Sequence, residues 1–391
     1  MMSKTSFTKY FLIAFTLMFI SSGLNAGTFG SDGKKKDKEK KEELSADGPY
    51  VLYQPDGKTR VISVDKKGKI TDTTYVALPE DFTLHVVDHK GRFPFDVKLH
   101  PVKRPDWKYR QPEKVFVMSD PHGKLDCVIS LLQGNGIIDK NYNWSFGNNH
   151  LMVIGDIFDR GADVLPILWL IYKLEFEAKT VGGRVTTILG DHEEMIMRDN
   201  LKYTYAKYNT LSQRAMNMTY GKMWGLTNVM GNWLRSKNTI QIVGENLYVH
   251  AGLSKVFMER EETIPEINEL VSKSIYLSKE ERKKQYPDIA DFLYSDSYNG
   301  PLWYRGMVKT GSEYSPIKEA DVDKLLAKYD VKRIIIGHTE NSRVKYTYNK
   351  KVYDICVNHP KAFEKETRAV VIEGDDIKAI NDEGELVTIK K

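Results

Sequence analysis

The sequence predicts an α/β layered fold, on three observations. Short apolar runs at residues 115–118 and 151–154, and the β-branched stretch Thr186-Thr187-Ile188-Leu189, have the composition of buried strands. Each is followed by a polar loop, and then by apolar residues at helical spacing, at 125–132, at 164–177 and from 193 to about 201. This strand, loop, helix rhythm is that of βαβ units, in which reactive residues gather in loops just past the carboxyl ends of the strands.

The remaining elements follow in chain order. Lys4 and Lys9, an apolar run at 11–20 and a small-residue stretch ending at Ala26 read as a signal peptide, residues 1–26. Export, to the periplasm, is therefore expected. The run is roughly half of what a bilayer-spanning helix requires, so no stable membrane insertion is expected after cleavage. An uncleaved N-terminal anchor is the alternative. Residues 27–48, dominated by lysine and glutamate, bury nothing apolar and read as a charged linker. This tract supplies part of the net charge of +5, so that charge gives no ground for a nucleic-acid partner, and none is expected. Residues 49–111 carry short β-type runs punctuated by Pro55-Asp56-Gly57 and Lys66-Lys67-Gly68, a small β-rich meander. Residues 112–391 are expected to form the main domain, with a helical insert at about 194–240. Its stretch 203–237 is rich in Met, Tyr and Trp, which either caps a site or, more commonly, fills a core. Strand-type runs at 370–373 and 385–389 close the chain. A length of 391 residues with 41% hydrophobic and 28% charged content suits one sizeable domain with appendages. Cys127 and Cys356 could pair in an oxidising compartment, but both lie in apolar contexts, which favours two buried free thiols, and neither reads as a nucleophile.

The loops past the strands carry the chemistry. Ser119-Asp120-Pro121-His122-Gly123, Gly155-Asp156-Ile157-Phe158-Asp159-Arg160-Gly161, Gly190-Asp191-His192-Glu193, Val249-His250-Ala251-Gly252 and Gly337-His338-Thr339 each place a metal-ligand type at the end of an apolar run. Aspartate and imidazole suit hard-to-borderline divalent ions such as Mn, Fe, Zn or Ni, and no thiolate sits among them. Asp156 can bridge two ions through its two oxygens, as two-metal phosphoester cleavage requires. Arg160 can grip phosphate oxygens in bidentate fashion. His192 can act as a general acid when a carboxylate orients its ring, and Asp159 is the candidate. A further metal ligand or a helix cap is the other reading of His192. Alone, D-x-H-G is a weak motif, an Asp-Arg pair is more often structural, and a lone histidine after a strand commonly packs. Five strings in one order, all on strand ends, point to an enzyme.

Together the strings resemble those of the calcineurin-like metallophosphoesterases, and specifically the phosphoprotein phosphatase family. That pattern runs GDxHG, GDxxDRG, GNHE, HxG and a late histidine, matched by SDPHG, GDIFDRG, GDHE, HAG and GHT over residues 113–372. The exported context and long intervening segments resemble the bacterial Shewanella-like branch. The resemblance implies a central β-sandwich flanked by helices and two divalent metal ions, manganese first among the candidates. It implies one ion on Asp120, His122 and Asp156, and a second on Asp156, Asp191, His250 and His338. Phosphate would be clasped by Arg160 and by Arg305 of Trp303-Tyr304-Arg305-Gly306, with His192 and Asp159 as the acid pair. A hydroxide between the ions would attack phosphorus in line. The activity implied is that of a phosphomonoesterase on phosphorylated proteins or peptides, at tyrosine, serine or threonine. A nucleotide or dinucleoside-polyphosphate hydrolase is the second reading, because related folds use the same core. A non-catalytic envelope binding module is the third, opposed by the complete ligand set.

Two positions depart from the pattern. Ser119 replaces a glycine, a change conservative in size. Asp191 stands where the family usually has asparagine, which makes the metal core one unit less positive. Tighter metal retention and a pH optimum displaced upward are expected. Asp191→Asn should lose metal sooner on dialysis, read by elemental analysis, and move the optimum down; an unchanged metal content and profile would refute the charge argument.

Overall fold

Turn chemistry sets the N-terminal strands. The computed structural model describes residues 44–294 and 299–391; the expected signal peptide and most of the 27–48 stretch lie outside them. β1 (Asp47–Tyr53), β2 (Thr59–Val64) and β3 (Ile70–Tyr75) pair antiparallel around the Gly57 and Gly68 turns, whose φ values of 81° and 75° favour glycine. β1 begins just inside the expected linker, with Leu44, Ala46 and Asp47 already buried. The physical reason is local: the charge run stops at Glu43 and Leu44 restarts apolar text. β4 (Thr83–Val86) and β5 (Phe95–Lys98) form a separate hairpin. β6 (Lys108–Tyr109) leaves this group and pairs in parallel far along the chain.

The main segment then alternates as expected. β7 (Lys114–Met118), α1 (Leu125–Gly134), β8 (His150–Ile154), α2 (Val164–Thr180), β9 (Arg184–Ile188) and α3 (Asp191–Met197) follow one another. α4 (Ala206–Met216) and α5 (Val229–Arg235) make up the helical insert. In it Tyr208, Tyr220, Trp224 and Trp233 are buried and fill a core, while Tyr203 and Tyr205 at its start are exposed. β10 (Ile240–Val243) and β11 (Asn246–Val249) form a hairpin. A second helical excursion follows: α6 (Val256–Glu259), α7 (Ile264–Ser274), α8 (Lys279–Gln285) and α9 (Pro287–Tyr294). Capping boxes at Thr263/Glu266 and Ser278/Glu281 start α7 and α8. α10 (Glu319–Tyr329), β12 (Arg333–Ile336), β13 (Lys345–Thr347), β14 (Val352–Asp354), β15 (Arg368–Glu373), β16 (Asp376–Asn381) and β17 (Leu386–Val387) complete the chain.

These strands make two six-stranded sheets, ordered β17-β16-β15-β7-β8-β9 and β13-β14-β12-β11-β10-β6. Alternation along β7 explains how they stack. Val115 and Val117 join Met152, Ile154 and Ile188 of their own sheet and Val243, Tyr248 and Ile335 of the other in one buried cluster. Phe116 and Met118 point the other way, into a larger cluster with α1 and α2 residues such as Leu125, Ile129, Leu168 and Trp169. The result is a β-sandwich flanked by helices. Tyr50, Ile62, Leu84 and Val86 of the N-terminal strands share that larger core, and Trp169 Nε1 donates to the Pro49 carbonyl at 2.9 Å. The second helical excursion is tied in by Arg282, fully buried, whose guanidinium meets the Glu194 carboxylate of α3. Cys127 and Cys356 are free and buried, and burial raises both thiols, Cys127 to about 12. Among the described residues no helix is long and apolar enough to cross a membrane.

One buried group links this packing to pH. His150, at the start of β8, is buried with Nε2 2.7 Å from Thr186 Oγ1, and burial, with the Arg184 charge adding to it, lowers its pKa from 6.5 to about 3. A histidine lowered on folding takes up its proton first in the unfolded chain. Stability is therefore full above about pH 6.5 and falls as pH drops toward 3. Urea titrations across that window should give His150→Gln a shallower slope than the parent, by up to about 1.4 kcal/mol per pH unit. Identical slopes would refute this assignment.

Candidate active site

Every candidate side chain but Arg305, which lies in a turn between α9 and α10, leaves the carboxyl end of a strand. The parallel neighbours β7, β8 and β9 deliver Asp120, Asp156 and Asp191 from one sheet. β11 and β12, parallel in the other sheet, deliver His250 and His338. The backbone there is wound tightly. Asp120, His122, Asp156, Asp159, Arg160 and His338 all have positive φ, between 42° and 68°. Non-glycine residues seldom adopt this region, and such strain collects at functional sites. Gly155 (φ 67°) and Gly190 let two loops touch. A Cβ on Gly155 would stand 2.6 Å from the Gly190 nitrogen, and one on Gly190 would collide with Asp156 Oδ1.

The side chains converge as a buried group. Asp156, Asp191, His250 and His338 present ligand atoms all within 4.8 Å of one another, and His122, Asp156 and His192 do the same. Asp156 belongs to both sets. Its Oδ1 lies 3.3 Å from His250 Nε2, and its Oδ2 lies 3.8 Å from His122 Nε2. Asp191 Oδ1 is 3.0 Å from His250 Nε2 and 2.8 Å from His338 Nδ1. Asp120 stands outside both sets: its carboxylate accepts the His338 backbone N–H at 3.1 Å and the Ser119 hydroxyl. His192 Nδ1 is 2.6 Å from Asp159 Oδ2, the orientation expected of the acid pair. Arg160 Nη2 lies 3.4 Å from His192 Nε2. Arg305 is half-buried behind His338, where Nη1 donates to the His338 carbonyl at 3.0 Å.

Charge in this pit is strongly coupled. Burial raises Asp120 to about 7, opposed by the positive charge of His250. Burial would also raise Asp156 and Asp191, yet the imidazoles around them, His250 and His192 for the first and His338 and His250 for the second, hold both below the usual carboxylate range. His250 is raised well above its ordinary value by Asp156 and Asp191 against burial, while burial lowers His122 to about 4. His192 resists burial because Asp156, Asp159 and Asp191 surround it, and it is pushed up to about 9.

The donor set fits divalent cations. In each ligand histidine one ring nitrogen is held by a backbone carbonyl: His122 Nδ1 by Phe158 (2.8 Å), His250 Nδ1 by Ile154 (2.8 Å) and His338 Nε2 by Trp303 (3.2 Å). This fixes the ring and turns the other nitrogen toward the carboxylates, the support found behind metal-bound imidazoles. Three buried aspartates beside these imidazoles offer the hard oxygen and borderline nitrogen donors that divalent cations take.

The family comparison agrees with this geometry. Residues 113–340, more than half of the chain, match the calcineurin-like phosphoesterases. The chain belongs to that family of metal-dependent phosphate-ester hydrolases. It is 25% identical over 251 residues to Shewanella-like protein phosphatase 1 of Plasmodium berghei, covering 63% of this chain and 65% of that one. An uncharacterised protein of Schizosaccharomyces pombe is 29% identical over 242 residues, 59% of this chain and 68% of that one. The chain thus spans about two thirds of the length of these relatives. A solved structure, the cold-active protein-tyrosine phosphatase of a psychrophilic Shewanella species, is similar at a TM-score of 0.77 and 31% identity, covering 88% of this chain and 99% of that one.

Three supporting residues escape a reading of the sequence. Glu193 is buried, and its two oxygens accept the backbone N–H groups of Gly190 (2.7 Å), Asp156 (2.9 Å), Ile157 (2.8 Å) and Phe158 (3.4 Å). Thr204 Oγ1 donates to Asp159 Oδ1 at 3.1 Å, occupying the oxygen that His192 leaves free. Asp163, the residue before α2, accepts from His89 of the β4–β5 loop, with its Oδ2 2.8 Å from His89 Nδ1. Glu193 had a signal in its string; the other two had none. Glu193→Gln keeps the shape but turns an amide N–H₂ toward backbone donors. It should cost about 2–4 kcal/mol in urea unfolding, since a buried donor is left unpaired, and lower metal content in parallel. Parent-like stability would show that the loops hold without it.

Proposed function

We propose that this chain is an exported, metal-dependent phosphomonoesterase acting on phosphorylated proteins. The observation that carries the chemistry is the 2.6 Å pairing of His192 with Asp159, set beside Arg160 and the buried carboxylate–imidazole group. Protein substrates are supported by the printed names of the Plasmodium and Shewanella proteins. In this reading Asp120, His122 and Asp156 would hold one divalent ion, and Asp156, Asp191, His250 and His338 would hold a second, with manganese the expected metal. When bound, such ions supply Lewis acidity toward phosphoryl oxygens and make water more acidic. Arg160 and Arg305 bind the phosphate and neutralise the charge on its equatorial oxygens. His192 Nε2 gives its proton to the departing oxygen. Asp159 fixes the ring and stabilises its protonated form, while Thr204 fixes Asp159.

The nucleotide-hydrolase reading keeps less support here, because Tyr208, Tyr220, Trp224 and Trp233 of the helical insert are buried in the core and leave Tyr203 and Tyr205 as its exposed rings. Inorganic phosphate release by the manganese-loaded protein, before and after chelation, tests the proposal. Phosphopeptides should be hydrolysed only with metal, and in preference to dinucleoside polyphosphates. His192→Asn should cut turnover of phosphoserine peptides about 10²–10⁴-fold, yet affect p-nitrophenyl phosphate far less, since that phenolate leaves without a proton. Turnover of dinucleotides alone, or of neither substrate, would overturn the reading.

A further inference from the structure

We propose that Tyr203 and Lys202 form the leaving-group subsite of this centre, with Tyr203 receiving the aryl ring of a phosphotyrosine and Lys202 an acidic residue beside it. The inference rests on the phosphoprotein reading above and adds the class of phosphoresidue. A general acid must stand beside the oxygen that departs, so whatever flanks His192 at the mouth of the site flanks the leaving group. Tyr203 holds that position. Its ring centroid lies 5.4 Å from that of His192 at an inclination of 43°. Tyr203 is 43% exposed, whereas His192 is 3% exposed.

Tyr203 is also held in place. Its carbonyl accepts the Arg160 backbone N–H at 3.1 Å, and the next residue, Thr204, donates to Asp159. The ring is thereby fixed to the loop that bears both the phosphate-binding guanidinium and the partner of the acid. These anchors use the backbone and a neighbour, so the Tyr203 side chain itself contributes little to holding the loop. Tyr208, Tyr220, Trp224 and Trp233, further along the insert, are committed to the core. Tyr203 alone among these rings faces the acid histidine.

The chemistry of the subsite favours an aryl group. An aromatic ring gains from an offset or tilted partner, and phosphotyrosine places its ring directly beyond the scissile oxygen. Phosphoserine offers only a methylene there and leaves the platform uncovered. The Lys202 ammonium lies 4.8 Å from the centre of the Tyr203 ring, and among the described residues no carboxylate forms an ion pair with Lys202. The exposed Arg160 lies beside it in the same mouth. A peptide with acidic residues next to its phosphotyrosine complements this rim.

The experiment uses the full chain loaded with manganese and two peptides that differ only in phosphotyrosine or phosphoserine. Tyr203→Ala should raise KM for the phosphotyrosine peptide about tenfold, with kcat little changed and the phosphoserine peptide altered less than about twofold. Tyr203→Phe should retain the parent values. Lys202→Glu should weaken acidic-flanked peptides several-fold and spare neutral-flanked ones. Binding of a peptide carrying phosphonomethyl-phenylalanine, read by fluorescence anisotropy, should weaken in Tyr203→Ala by the same factor without any turnover. Equal losses on both peptides, or a fall in kcat at constant KM, would overturn the subsite and make the ring a support for His192. If the parent itself neither binds nor hydrolyses either peptide, the phosphoprotein reading fails and the subsite with it.

Discussion

Burying Asp120, Asp156 and Asp191 in one pit is the demand that the rest of the molecule answers. An ionised carboxylate removed from water costs several kcal/mol unless charge and hydrogen bonds replace the solvent. Here the replacements come from separate places: imidazoles from the second sheet, and backbone N–H groups from the loops themselves. Glu193 solves the same problem differently. It is a further buried carboxylate, hydrogen-bonded by backbone donors, and in return it fixes the loops that carry Asp156 and Asp191. The left-handed backbone at Asp120, Asp156 and His338 is what lets strands ending at one level aim side chains at a common point.

Much of this was legible because chemistry restricts residue type. Asp156, Asp159 and Arg160 stand in one short string, and their spacing puts a ligand, an orienting carboxylate and a cation on a single loop. β7 and β8 were legible because each carries an apolar run ended by serine or glycine, and β9 because β-branched Val185-Thr186-Thr187-Ile188 leads through Leu189 to Gly190. The second helical excursion was not, although Thr263 with Glu266 and Ser278 with Glu281 announce two helix starts. α8 is a lysine-rich and glutamate-rich run with little apolar text, α6 and α9 are short, and no motif draws attention to any of them. Thr204 was invisible for a different reason: its role depends on which loop it reaches, and that is set by the packing of the insert. β6 shows the same limit, since two residues have no pattern of their own and take a partner in β10.

The N-terminal strands are a splint on the catalytic loops. Asp47 of β1 is buried against Lys207 of α4, 3.4 Å away. Arg60 of β2 donates to the Ala215 carbonyl beside its exposed pair with Asp72. The β4–β5 loop reaches further in, where His89 holds Asp163 by ring and backbone, and the Asp163 N–H donates to the Gly123 carbonyl. Gly123 closes the first ligand string and Asp163 follows the second, so both strings are braced from one hairpin. Such bracing suits a site whose residues must keep strained conformations.

The strand order carries a cost during synthesis. β7 is flanked by β8 on one side and by β15 on the other, and β15 lies near the end of the chain. Until that late segment emerges from the ribosome, Val115-Phe116-Val117-Met118 presents an open row of amides and carbonyls on a strand made to be dry on both faces. A nascent or truncated chain therefore carries a ready template for pairing with another molecule, and its solubility depends on its last strands closing over its first catalytic one.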